Sequence, residues 1–124
     1  MSDFLPLNIA LLTISDTRTL DDDKSGNLLA GRITDAGHTL ADRQIVKDDI
    51  YQMRARFSGW IADPGVEVIV STGGTGVTGR DSTPEAIVPL LDKVIEGFGE
   101  LFRQLSYEEI GPSTIQSRAV AGMA

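Results

Sequence analysis

Cysteine is missing from the whole chain, so disulfides and thiolate metal sites are excluded. That absence fits a reducing cytoplasm, the compartment expected here. No apolar run is long enough to cross a bilayer, and "MSDFLPLNIALL" carries no secretory-leader pattern. Basic excess is lacking too: the net charge is -7 at pH 7 and the eleven Lys and Arg residues are scattered. Nucleic-acid and membrane partners are therefore not expected. An anionic ligand would need local attraction from backbone N–H groups and helix N-termini. Histidine occurs once, as His38 after a glycine, and reads as a solvated position rather than a ligand. Repeats, low-complexity segments and linkers are absent. What remains is 124 residues, 41% of them apolar, which suits one domain over 1–124 with one sizeable core.

The apolar run "NIALLTIS" (8–15) predicts a buried strand. "SGNLLAGRITDAG" predicts a helix, with Ser25 as N-cap, Leu29 and Ile33 on one face, and Gly37 where a helix stops. The preceding Asp21-Asp22-Asp23 reads as a solvated loop, although Asp23 could add to the capping. "HTLADRQIV" (38–46) is a less apolar strand, placed nearer a sheet edge. In "DIYQMRARFSGWIA", Ile50, Met53, Phe57 and Trp60 form one apolar helix face, ended by Asp63-Pro64-Gly65. "VEVIV" (66–70) is the third strand. Thr83 before Pro84 predicts a helix N-terminus, and Pro89 interrupts that helix. Phe98, Leu101, Phe102 and Leu105 form a stripe expected in the core. The alternation β-α-β-α-β-α predicts a mostly parallel sheet with helices on its faces. Ligands in such sheets bind outside the C-terminal strand ends, where "SDTR", "KDD" and "TGGTG" fall.

Gly74-x-Gly76-x-x-Gly79 matches the dinucleotide fingerprint on paper, but it follows the third strand and no acid-ended strand comes next. A P-loop is excluded, because Arg80-Asp81 stands where Lys-Ser/Thr is required. The shared physics survives: glycines let backbone approach a ligand and aim several N–H groups at one place. Four glycines, at 73, 74, 76 and 79, favour a ligand cradle over a simple tight turn. Asp49, with Gln52 three residues on, can cap the second helix, which leaves Asp48 without an evident structural duty. Asp81 could favour the next helix dipole or make a local turn bond. Asp16, Asp48 and Asp81, on three strand-end loops beside an anion cradle, point together to a divalent cation such as Mg²⁺.

"TISDTR", "DKSG", "STGGTGVTGRDSTPEA", "EGFGELFR" and "SRAVAG" occur in the order and spacing of the MoaB/MogA family of molybdenum cofactor biosynthesis proteins, and the chain resembles that family over nearly its whole length. "EEIGPSTIQSRAVAG" is more similar to the MoaB branch. The resemblance implies a three-layer αβα sandwich, a trimer or a hexamer built as a dimer of trimers, and a molybdopterin-handling site. It implies Mg-ATP-dependent adenylylation of molybdopterin with release of pyrophosphate, and a downstream molybdate-inserting protein as partner. Its two key acids fall on Asp48 and Asp81, the catalytic and Mg²⁺-holding pair; some MoaB-branch members lack one or both, and this chain retains both. Its nucleotide- and molybdopterin-binding positions fall on Ser15, Asp16, Ser25, Gly26, Thr72, Gly73, Gly74, Thr75, Gly76, Ser117 and Arg118. Family members are expected to continue beyond "AGMA" through a strand, a proline-glycine loop and a helix, so a truncated form is expected here. Two other readings stand beside the enzyme: a non-catalytic molybdopterin or precursor binder of the same family, and, on the glycine fingerprint alone, a nicotinamide-dependent oxidoreductase.

Overall fold

The computed structural model describes residues 3–124. Three parallel strands, β1 (Asn8–Ile14), β2 (Thr39–Val46) and β3 (Val68–Thr72), form a sheet in the order β2-β1-β3. Asn8 to Ile14 pair with Thr39 to Val46, with one irregularity between Ile9 and Ala10; Ile9 to Thr13 pair with Val68 to Thr72. β1 is the middle strand because it is apolar on both faces. Ala10, Leu12 and Ile14 point to one face, where Met53, Phe57 and Trp60 of α2 (Ile50–Ala62) and Ala86 of α3 (Thr83–Ile87) cover them. Ile9 and Leu11 point to the other, against Ile33 of α1 (Lys24–Asp35). Helices on both faces of the sheet give the expected three layers, and the less apolar β2 is at an edge as its composition predicts. Among the described residues no helix is long and apolar enough to cross a membrane.

Local chemistry sets the helix ends. α1 stops in a Schellman arrangement: Gly37 has φ 91°, its N–H donates to the Thr34 carbonyl at 3.0 Å, and the His38 N–H reaches the Ile33 carbonyl at 3.1 Å. α2 starts at Asp49, whose Oδ1 accepts from the amides of Tyr51 and Gln52, both at 2.9 Å. The α1 cap is Asp23, not Ser25: its carboxylate accepts from the Gly26 amide at 3.0 Å, and at 2% exposure it is buried rather than part of a solvated loop. Its other oxygen accepts from the buried Thr13 hydroxyl, so the strand itself draws this aspartate inward. His38 is half-buried; its Nδ1 accepts from the Leu7 amide at 3.0 Å. β3 begins and ends two residues later than the pattern predicts, because Val66 N–H turns back to the Asp63 carbonyl while Ser71 and Thr72 continue the ladder. α3 begins at Thr83 after Ser82, which makes no side-chain cap. Thr83, the first residue of the helix, is buried and reaches back to the glycine loop. After α3 the chain makes a short 3-10 turn at Val88–Leu90, as Pro89 requires.

The last third departs most from the sequence reading. β4 (Lys93–Val94) pairs antiparallel with β5 (Gly122–Met123), and between them run α4 (Glu96–Ile110) and a 3-10 turn, Gly111–Gln116. The α4 stripe is not in the core: Phe98, Leu101, Phe102 and Leu105 are 44–59% exposed. The one buried residue of α4 is Gly99, where an added Cβ would lie 2.8 Å from the Ala119 carbonyl. The helix therefore lies on the chain through its small-residue side, and its apolar stripe faces outward.

Trp60 is in the core as expected, with its indole N–H donating to Asp42 Oδ2 at 3.1 Å. Burial pushes the Asp42 carboxyl upward, but the indole, Gln44 and the Arg43 amide more than offset it and hold it below the usual range. Trp60→Phe keeps most of the apolar area and removes a bond to a charged acceptor. It is expected to cost about 2 kcal/mol, read by urea unfolding monitored by far-UV circular dichroism. An unchanged midpoint would show that the Asp42 bond contributes nothing.

Candidate functional site

All three parallel strands deliver their C-terminal loops to one rim, and side chains tie those loops together. After β1, Ser15 N–H donates to the Val46 carbonyl at 2.9 Å, and Ser15 Oγ accepts from the Arg18 amide at 3.1 Å. Asp16 Oδ1 accepts from the Asp48 amide at 3.0 Å, joining the first loop to the second. Asp16 Oδ2 pairs with Arg80 of the third loop. The Asp48 amide, followed by the Arg80 guanidinium, holds the Asp16 carboxyl below its ordinary range against some desolvation. Asp48 Oδ1 accepts from the amide and hydroxyl of Ser82, joining the second loop to the third. Asp48 thus has a structural duty that the sequence did not reveal.

The third loop is the glycine segment. Gly73 and Gly74 have φ of 101° and 71°, where glycine alone is comfortable. Their crowding adds a second requirement: a Cβ on Gly73 would run into the Ile14 carbonyl, and one on Gly74 would meet the Thr83 hydroxyl and lie 3.0 Å from Asp48 Oδ2. Asp48 therefore abuts the loop, as expected. Asp81 abuts it further on, its Oδ2 lying 2.6 Å from where a Cβ on Gly76 would stand. Asp81 Oδ2 accepts from the Thr78 hydroxyl at 2.7 Å and the Thr78 amide at 3.0 Å. These two donors, with the Gly76 amide and the Arg118 charge, hold its carboxyl below the usual range and keep it ionised. Among the described residues the amides of Gly74 and Thr75 have no protein acceptor.

Two clefts flank this loop. One, of about 180 Å³, lies at the start of α1; Ser15, Ser25, Thr72 and Gly73 line it together with Arg18 and Lys24. The other, of about 550 Å³, is bordered by Ile50, Val77, Asp81, Glu85 and Arg118. Of the residues expected to bind, Ser15, Ser25, Thr72 and Gly73 thus border the smaller cleft, while Arg118, with the expected catalytic Asp81, borders the larger. Gly26 is a packing position: its amide bonds Asp23, and an added Cβ would collide with Asp23 and lie 2.7 Å from Thr13 Oγ1. Arg118 reaches the loop from the far end of the chain, with Nε on the Gly76 carbonyl at 2.6 Å and Nη2 on the Asp81 carbonyl at 2.7 Å, whereas Ser117 bonds Thr114 and Arg103 instead.

The three-acid cluster expected from Asp16, Asp48 and Asp81 does not form. Among the described residues no three acidic or histidine side chains gather closely enough to hold a metal ion. Asp16 is drawn off by Arg80 and Asp48 by Ser82. What remains is one carboxylate against Gly74 and one against Gly76, a pair that suits one or two carboxylate ligands to Mg²⁺ completed by phosphate and water. The dinucleotide reading loses its context, since Gly79 opens no helix and the next one, α3, spans only Thr83–Ile87. Sequence reasoning missed Arg18 and Lys24, the cations of the smaller cleft. Their signal was position, beside the ends of a strand-end loop and a helix start, rather than abundance.

The family described as "Probable molybdopterin binding domain" matches residues 10–124. Molybdenum cofactor biosynthesis protein B of Escherichia coli is 53% identical over 123 residues, which is 99% of this chain and 72% of that protein. A crystal structure of a molybdenum cofactor biosynthesis protein B superposes with a TM-score of 0.92 at 46% identity, covering 96% of this chain and 74% of that one. The tungsten cofactor synthesizing protein MoaB from Pyrococcus furiosus superposes with a TM-score of 0.83 at 38% identity, covering 94% of this chain and 72% of that one. A family match over residues 10–124, together with relatives of this identity and coverage, shows that the chain belongs to the family of molybdenum cofactor biosynthesis proteins that contains MoaB.

Proposed function

We propose that the chain acts in molybdenum cofactor biosynthesis in the cytoplasm as a Mg-ATP-dependent molybdopterin adenylyltransferase. The observation that carries this reading is the placement of Asp48 and Asp81 against Gly74 and Gly76, with unpaired amides between. A phosphate oxygen of molybdopterin attacks the α-phosphorus of ATP. The bond from that phosphorus to the bridging oxygen breaks, and pyrophosphate leaves with its electron pair. The amides of Gly74 and Thr75 stabilise phosphoryl oxygens from fixed positions. Asp81 and Asp48 are the residues that would hold Mg²⁺, which supplies neutralisation of the triphosphate charge when bound. Ser15, Ser25, Arg18 and Lys24 offer hydroxyls and positive charge to an anionic group in the smaller cleft. The adenylylated product would pass to a molybdate-inserting partner.

Protein incubated with ATP, Mg²⁺ and molybdopterin is expected to form adenylylated molybdopterin and pyrophosphate, followed by mass spectrometry. Asp81→Asn is expected to lower turnover by more than about tenfold while pterin binding persists. EDTA is expected to stop turnover without shifting the thermal midpoint. No product despite intact molybdopterin binding would reject the enzyme in favour of a non-catalytic binder. One observation favours that second reading: both acids already hold the loop, Asp48 through Ser82 and Asp81 through Thr78. The outward apolar stripe of α4 supports a homo-oligomer, a trimer or a hexamer, since it exposes four large apolar side chains on one face.

A further inference from the structure

We propose that Arg118 is a positioning residue that, with Thr83, clamps the carbonyl side of the glycine loop and so presents its amides; it does not itself bind the ligand. The clamp covers four consecutive carbonyls. Gly73 O accepts from the Thr83 hydroxyl at 2.8 Å and Gly74 O from the Thr83 amide at 3.0 Å. Thr75 O accepts from the Arg118 amide at 2.8 Å and Gly76 O from Arg118 Nε at 2.6 Å. The loop contains no cis peptide. In a planar trans peptide the N–H points away from the C=O. Fixing the carbonyls of Gly73 and Gly74 therefore sends the amides of Gly74 and Thr75 to the opposite side. Fixing Thr75 O turns the Gly76 amide away from Arg118, and that amide faces the Asp81 carboxylate. Arg118 Nη2 holds Asp81 O, the carbonyl of the peptide whose N–H, on Ser82, donates to Asp48. One side chain thus orients both the loop and the amide that anchors its acid.

Each nitrogen of the Arg118 guanidinium commits a donor to this work. Nε and Nη2 hold main-chain carbonyls, and Nη1 pairs with Glu85 at 2.6 Å. A planar guanidinium spreads its donors over three nitrogens and so reaches two carbonyls and a carboxylate set apart from one another, whereas the donors of an ammonium all sit on one nitrogen. The segment carrying Arg118 is itself held, because Arg103 of α4 donates to the Ser117 carbonyl at 3.1 Å. Presenting amides before a ligand arrives removes the cost of ordering them on binding.

This inference rests on the proposed nucleotide site for its consequence but not for its test. The Arg118 side chain is 33% exposed, so Arg118→Lys can be accommodated. In the ligand-free protein, Arg118→Lys is expected to speed hydrogen exchange of the loop's bonded amides, those of Thr78, Asp81 and Ser82, by about tenfold, the factor of one charge-assisted hydrogen bond. Exchange in β1 and α2 is expected to stay as in the wild type. Glu85→Gln, which leaves the guanidinium in place, is expected to loosen the same amides by about twofold. Mg-ATP is then expected to bind Arg118→Lys about fivefold more weakly, with the salt dependence of affinity unchanged. Loop exchange that is the same in the wild type and both variants would overturn the clamp. A shallower salt dependence in an Arg118→Gln variant would also overturn it, by showing that the charge acts on the ligand directly. A wild-type protein that binds no Mg-ATP would sink the proposed function, while the exchange comparison would still decide the clamp.

Discussion

Gly73→Ala is expected to lower the unfolding free energy by about 3 kcal/mol, a loss of roughly 10 °C in the midpoint for a chain of this size. Two costs add. At φ 101° an alanine is strained whatever the space around it. The new methyl would also run into the Ile14 carbonyl, part of the central strand's backbone, which cannot rotate away as a side chain can. Gly37→Ala separates the two costs. Its φ is 91°, but the added Cβ would meet only the ring of Phe4, at 3.1 and 3.2 Å, and that ring is 63% exposed. Its expected cost is about 1 kcal/mol. Trp60 is the only tryptophan and is buried, so its fluorescence reports both unfolding transitions. Gly73→Ala no less stable than Gly37→Ala would mean that the loop does not press against β1 as described. The tight seat of Gly73 matters for function because it fixes where the loop begins, and Thr83 and Arg118 then set its direction.

The central layer was legible because its pattern has one physical solution. An unbroken apolar β1 must be covered on both faces, and the spacing of Met53, Phe57 and Trp60 supplies the cover for one of them. The α4 stripe shows where such inference stops. Periodicity at Phe98, Leu101, Phe102 and Leu105 marks an apolar face but not the surface that covers it, and here the helix turns Gly99 inward instead. The same limit applies to the site. Asp48 and Asp81 could be placed at the rim because each follows the end of a strand. The Asp16–Arg80 pair and the grip of Arg118 on Gly76 join residues 64 and 42 positions apart, and no local pattern encodes such closures. Among three adjacent aspartates, composition does not say which one turns inward; a threonine on the buried face of β1 decides it.

Asp23→Ala is expected to cost about 3 kcal/mol or more, whereas Asp22→Ala next to it costs about 0.5 kcal/mol. Asp23 is 2% exposed and satisfies three donors from three elements: the Thr13 hydroxyl at 2.6 Å, the Gly26 amide at 3.0 Å and Arg43 Nη2 at 3.3 Å. Truncation leaves the α1 start uncapped, a buried hydroxyl without its acceptor, and Arg43 with only Asn27, at 2.7 Å, to share its charge. Arg43 Nε is already buried without a partner, so the arginine has little reserve. Asp22 is exposed and holds only the local turn at Thr19. The pH dependence carries the signature of the charge. Burial pushes the Asp23 carboxyl up, but the Thr13 hydroxyl, the Gly26 amide and Arg43 outweigh it, so the folded value lies below the ordinary 3.8. A carboxyl depressed by folding contributes stability that is fully present above its unfolded value and is lost as pH falls through the folded one. Asp23→Asn has no charge to lose. The stability gap between the wild type and Asp23→Asn, measured by urea unfolding, is therefore expected to be constant from pH 7 to about 5 and to shrink as the pH drops below 3.8. A gap that stays constant through the acid range would show that Asp23 acts by shape and hydrogen-bond count alone, and a midpoint for Asp23→Ala equal to that of Asp22→Ala would remove it from the framework of the site.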